Sequence, residues 1–369
     1  MSRILMVSPY APYRDGIAAY ALQEVRALRA AGHQVEVLSP GPSAAHHHLD
    51  LASTRGPYAL AKRVVNYDEL ILQYHPDFFF ARASDREARV RATLGLLATF
   101  SRAKRVDVRL HEFRQEPPSR WTIEGMLLRR MWRAPDRITV HTATERALFC
   151  HAYGLDLAHV EVIDHGASFV AHTHLDRAQA RARLGLDPNA RIFVTIGFIQ
   201  PHKGFDRAVR AFAQAGLATH GTQLHVVGSV RVSEPHYLAH RDELAMLVAH
   251  TPGVELHETY VSDEQFDLWL VAADVVVLPY RHIWSSGVLE RARLFDRPVI
   301  ASRVGGLQDQ AGPDTTLVDN DDQLTAALRR AGTLAAEVAP LSEPWDLADN
   351  ASLEDVIAAV QRRAELSPE

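Results

Sequence analysis

Short apolar runs return along nearly the whole chain, and the stretches between them carry helical spacing. The first series is ILMV (4–7), VEVL (35–38), ELILQY (69–74), VDVRLH (106–111), RITVHT (137–142) and VEVID (160–164). The second is RIFVTIG (191–197), LHVVG (224–228), VELH (254–257), VVVLPY (275–280), PVIAS (298–302) and TLVD (316–319). Between the first two runs, Ile17, Ala21, Val25 and Leu28 share one helical face, and Gly32 stops it. Strand–helix alternation of this kind predicts parallel, doubly wound sheets with helices on both faces. Two series predict two Rossmann-like domains, which also suits a length of 369 residues. The expected division is 1–170, 171–345 and a last helix near 353–366, within 346–369, that returns to the first domain.

Bulk properties exclude several classes. The net charge of −5 argues against a nucleic-acid partner. Cys150, the one cysteine, excludes an internal disulfide framework and a cysteine-based zinc cluster. The N-terminal apolar run spans four residues, against roughly 7–15 for a secretory signal. The expectation is a cytoplasmic protein.

Parallel sheets bind ligands at the carboxyl ends of their strands. Asp15-Gly16 follows the first run: either a ligand passes over the glycine, or Asp15 simply caps the next helix. Lys203, between Gly197 and Gly204, precedes another helix start, where bare amides and a positive dipole end suit phosphate. Ser285-Ser286-Gly287 opens a third helix in the same way. Strand-end histidines stand at His75, His111 and His165. His46–His48 reads as an exposed loop. A dinucleotide G-x-G-x-x-G, a P-loop and a G-x-S-x-G elbow are missing from their expected places.

Jointly these motifs resemble glycosyltransferase family 4, of GT-B fold. Pro12, Asp15-Gly16-Ile17 and Gly32-His33-Gln34-Val35 match its N-terminal pattern. Gly197-Phe198-Ile199-Gln200-Pro201-His202-Lys203-Gly204 is similar to its variant G-F-I-x-P-x-K-G motif. Asp274, Pro279-Tyr280-Arg281, Ser286-Gly287-Val288, Pro298-Val299-Ile300-Ala301 and Gly305-Gly306 match its late pattern. The resemblance implies a retaining sugar transfer from a nucleotide diphosphate sugar, with no further cofactor and no obligatory metal. It implies a catalytic set of His111, Lys203 and Glu290. Donor contacts would come from Asp15, Gly16, Gly197, Phe198, Lys203, Gly204, Ser285, Ser286, Gly287 and Val288. His75, Glu112 and Arg114 would face the acceptor.

The departures are specific. Arg291 stands where relatives carry the second glutamate of E-x7-E, with Glu290 one place early, and Ile283 stands where they carry the first. Phe198 and Gln200 stand where they carry arginine. A non-catalytic nucleotide-sugar binder, or an epimerase or phosphorylase of the same fold, therefore stays open. Residues 81–137 hold 14 Lys or Arg against 7 Asp or Glu, a surplus of +7 that leaves the rest near −12. Within them, WTIEGMLLRRMWR is either a helix packed on the first sheet or a peripheral contact with the inner membrane surface.

Overall fold

The computed structural model describes residues 1–333, apart from 14, 54, 81–84, 168, 232–233 and the side chains of 219–220. The expected helix at 353–366 and the far end of the second domain lie outside the described residues.

The first sheet contains β1 (Arg3–Val7), β2 (Gln34–Ser39), β3 (His47–His48), β4 (Glu69–Tyr74), β5 (Val106–Leu110), β6 (Arg137–Val140) and β7 (Val160–Val162). Their spatial order is β3-β2-β1-β4-β5-β6-β7, and every pairing is parallel. The second sheet contains β8 (Arg191–Ile196), β9 (Thr222–Gly228), β10 (Val254–Glu258), β11 (Val275–Leu278), β12 (Val299–Ser302) and β13 (Thr315–Val318). Its order is β10-β9-β8-β11-β12-β13, again all parallel. Thus each sheet reverses its winding beside its first strand, at β1/β4 and at β8/β11.

Helices cover both faces. In the first half they are α1 (Gly16–Ala30), α2 (Gly56–Arg63), α3 (Pro76–Phe79), α4 (Arg86–Arg102), α5 (Ile123–Trp132) and α6 (Ala143–Tyr153). In the second they are α7 (Arg177–Leu184), α8 (Phe205–Ala215), α9 (Pro235–Ala249), α10 (Asp263–Ala272), α11 (Gly287–Leu294), α12 (Leu307–Gln310) and α13 (Asp321–Thr333). Period-two alternation divides each strand between two cores. Ile4 and Met6 pack with Val35, Val37 and Ile71 against Ala21 and Val25 of α1. Leu5 and Val7 enter the opposite core with Leu60, Leu96, Phe100 and Trp132.

One expectation changes in detail. His47–His48 is a short edge strand rather than a free loop, because His46 Nδ1 accepts from Val37 N (3.1 Å) and His47 pairs with Glu36 (2.8 Å). In α5, Leu128, Met131 and Trp132 are buried against the first sheet, whereas Ile123 and Met126 of the helix, and Trp121 just before it, are 58, 53 and 80% exposed. Among the described residues no helix is long and apolar enough to cross a membrane.

Candidate active site

The carboxyl ends of both sheets meet at a cleft. Phe113, after β5, packs on Trp284, after β11, with ring centroids 4.5 Å apart. Thr144 N, in the first turn of α6, donates to Asp309 Oδ2 (2.6 Å) on α12. Asp15 caps α1 by accepting from Ile17 N (2.8 Å), and its second oxygen pairs with Arg231 from the loop after β9. Asp15 is therefore both the plain cap and a contact between the halves. Its carboxylate already occupies the α1 amides, while a Cβ on Gly16 would meet nothing within 4 Å.

Lys203 lies in a short turn that begins where β8 ends. Gly197 has φ +135°, and Gly204 has φ +65° with its α-carbon against the Pro279 carbonyl, where a Cβ would collide. A Cβ on Gly228 would collide with the Gly197 carbonyl in the same way. The half-buried ammonium of Lys203 lies 4.2 Å from the centroid of the Tyr280 ring and makes no ion pair among the described residues. Burial lowers its pKa to about 8. Phe198 is half-buried and Gln200 buried in the same turn, so neither supplies the cation that relatives place there. Arg231 does bring a guanidinium to the same end of the sheet.

On the same sheet as Lys203, beyond the Tyr280 ring whose Oη lies 3.5 Å from Ser286 Oγ, α11 starts. Ser286 caps it by accepting from Leu289 N (3.3 Å), and Ser286 N is committed to Gln310 Oε1 (2.7 Å). That leaves the amides of Gly287 and Val288 without partners among the described residues, pointing along the helix dipole as an anion site requires. Ser285 Oγ contacts His165 Nδ1 (3.1 Å) instead of capping. Glu290 accepts from Gln310 Nε2 (2.7 Å) and pairs with Arg293 (2.9 Å), and burial raises its pKa. Its Cβ lies beside Gly166, so it faces the cleft loop after β7. Arg291, one position on, faces the other way. It pairs with Asp263 (2.9 Å) and Asp267 (2.7 Å) beneath His172.

The first half contributes a ring cluster. Tyr20 of α1 is ringed by His111, His141 and His165, with centroids 5.3, 5.4 and 5.4 Å away. Burial, and then the neighbouring imidazoles, hold His111 and His165 well below the usual histidine range; burial lowers His141 to about 4. All three are neutral at pH 7. Behind His111 runs a buried chain: His111 Nε2 donates to Gln73 Oε1 (2.6 Å), Gln73 Nε2 donates to Glu24, and Arg109 binds Glu24 (3.0 Å) and Asp107. Because Glu24 can only accept, the Gln73 amide has one orientation, and His111 presents Nδ1 as its lone-pair side.

His75 and Glu112 pair at the rim (2.9 Å), and the pair, led by the His75 hydrogen bond, lowers the Glu112 pKa. Arg114 is exposed, and its carbonyl accepts from Tyr153 Oη (3.2 Å). The structure thus gathers Lys203, Gly287, Val288, Glu290 and His111 around one cleft, puts His75 and Glu112 beside it, and leaves Arg114 facing Tyr153. Sequence reasoning missed Tyr20, His141 and Arg231. No motif marks them, and strand-end placement was the signal that could have found His141.

Two family models match: "Glycosyltransferase Family 4" over residues 14–169 and "Glycosyl transferases group 1" over 190–333. A curated relative, D-inositol 3-phosphate glycosyltransferase of Mycolicibacterium vanbaalenii, is 34% identical over 238 residues, covering 62% of this chain and 51% of the relative. The chain spans about half the length of the curated relatives it matches. Among solved structures, Anabaena HepE in complex with UDP and glucose superposes with TM-score 0.67 at 14% identity, over 89% of each chain. Sucrose-phosphate synthase of Thermosynechococcus elongatus superposes with TM-score 0.67 at 19% identity, also over 89% of each.

Proposed function

Given that the chain belongs to glycosyltransferase family 4 and has the GT-B fold, we propose that it transfers a sugar, with retention, from a nucleoside diphosphate sugar to a hydroxyl acceptor. The carrying observation is Lys203: a half-buried ammonium at the cleft without an anionic partner among the described residues, resting on the Tyr280 ring that also adjoins the start of α11, where the Gly287 and Val288 amides are open. A leaving diphosphate gains negative charge in the transition state, and prearranged cations and amides aimed at it supply most of the acceleration. No metal ion is obligatory in this proposal. Glu290 would hold the donor's sugar or ribose hydroxyls, His111 would orient the reacting sugar through Nδ1, and the His75–Glu112 pair would meet the acceptor. In the same reading residues 1–170 are the acceptor side and 171–345 the donor side.

The solved UDP complexes of HepE make UDP-sugars the first donors to try, and inositol 3-phosphate belongs in the acceptor panel because of the curated relatives' name. Thermal-shift screening with UDP-, GDP-, ADP- and dTDP-sugars, followed by product analysis with and without acceptor, tests the proposal. Donor binding followed by glycosylated acceptor is the expected result. Binding without turnover would mark a non-catalytic binder, and conversion without acceptor an epimerase.

A lipid-linked acceptor is favoured by one feature. Trp121, Ile123 and Met126 are exposed beside the exposed Arg120 and Arg130, a mixture suited to an anionic membrane surface. Pelleting with liposomes that is unchanged by anionic lipid would remove that reading.

A further inference from the structure

At the outer edge of the second sheet, on β9 and its edge neighbour β10, three ligand-bearing side chains converge. His225 (β9) and Glu255 and His257 (β10) place ligand atoms within 4.8 Å of one another. The parallel register explains why: Glu255 is the partner of His225, and His257, two residues on, returns to the same sheet face. His225 Nδ1 lies 2.9 Å from His257 Nε2 and 3.7 Å from Glu255 Oε2, and His257 Nε2 lies 3.6 Å from the same oxygen. From these positions we infer that His225, Glu255 and His257 form a binding site for a divalent transition-metal ion of the zinc type, clamping the edge strand β10 to β9.

Four features support a metal site over a plain imidazole hydrogen bond. Two imidazoles and a carboxylate form a standard three-ligand set for zinc, with a fourth position left to water. A tetrahedral ion with ligand bonds of about 2.0–2.1 Å needs ligand atoms roughly 3.3 Å apart, so the 2.9, 3.6 and 3.7 Å edges require only small shifts. His225 Nε2 lies 3.2 Å from Gln223 Oε1, and with its Nε2–H donated there Nδ1 is left as a ligand. Trp269 of α10 packs on both rings, with centroids 5.4 and 4.7 Å away, and forms an apolar wall. His225 is 1% exposed and the Glu255 side chain 59% exposed, so an ion would enter from the Glu255 side. On binding, the His257 ring would carry its proton on Nδ1 and turn Nε2 to the ion.

This site is independent of the proposed sugar transfer. The test uses the full chain after chelator treatment and dialysis, titrated with Zn²⁺ by calorimetry and with Co²⁺ by visible absorption. One equivalent per chain is expected, with His257→Ala and Glu255→Gln each weakening binding at least tenfold, and Gln223→Leu weakening it about 10–100-fold as lost outer-shell support does. A His46→Ala/His47→Ala/His48→Ala variant controls for the other histidine cluster and should bind as the parent does. Glu255→Gln alters only an exposed side chain, so it keeps the test valid should His257→Ala fail to fold. Absence of stoichiometric binding, or binding that neither Glu255→Gln nor His257→Ala weakens, overturns the inference.

Discussion

The carboxylate of Asp15 does two jobs with two oxygens: one caps α1, and the other holds Arg231 from the opposite half of the molecule. The two roles separate by substitution. Asp15→Ala should lose the cap, about 1 kcal/mol of stability. Asp15→Asn keeps a capping oxygen and weakens only the bridge. Arg231→Ala should match Asp15→Asn in denaturant midpoint and raise the donor KM, because a cation leaves the donor end of the cleft. An unchanged KM would confine Arg231 to joining the halves.

Lys203→Ala should lower turnover on the order of 10²–10³, the scale of one lost oxyanion donor. Near-normal turnover would remove Lys203 from the mechanism.

Lys203 also sets a pH dependence. Its folded pKa of about 8 lies below the ordinary 10.5, so the unfolded chain holds a proton that the folded chain has released in between. This contribution to stability therefore rises with pH from about 8 to about 10.5. Donor affinity should move the opposite way, weakening above about pH 8 as the ammonium is lost. Lys203→Arg should abolish that alkaline limb. A limb that persists in Lys203→Arg belongs to another group.

His111 should stay neutral well below its ordinary range, because burial and then His141 and His75 oppose a second proton. Turnover is expected to hold flat on the acid side through pH 6.5, where an ordinary histidine is half protonated. An acid limb centred near 6.5 that disappears in His111→Asn would contradict the neutral ring.

Arg291→Glu would restore the residue that relatives carry. Here it should fail, since Asp263 and Asp267 would lose their buried cation and face a third carboxylate. Breaking a buried pair costs roughly 3–5 kcal/mol. Urea denaturation reads the loss, and stability equal to the parent would sink the structural role assigned to Arg291.

Period and punctuation carried every strand of both sheets but β3: β4 is residues 69–74 in the sequence pattern and in the structure. Such signals are local. Lys203 and Ser286 were also legible, because a glycine or serine before a helix is local chemistry. What escaped was set by contacts distant in sequence. The His47–His48 strand depends on Glu36 and Val37, and Arg231 depends on Asp15 across 216 positions. Arg291 looked like a missing glutamate, yet its meaning comes from α10 and His172. The His225 cluster arises only when two strands lie in register.

Gly204 faces the Pro279 carbonyl, and Gly228 faces that of Gly197, each too closely for a Cβ. The proposed donor rim is thus framed by main chain that leaves no room for a side chain at Gly204 or Gly228. On the proposed reading, altered donor preference would arise in the side chains set into that frame. Phe198, Gln200 and the stacked His202–His282 pair, with ring centroids 5.1 Å apart, are the positions where selection has room to act.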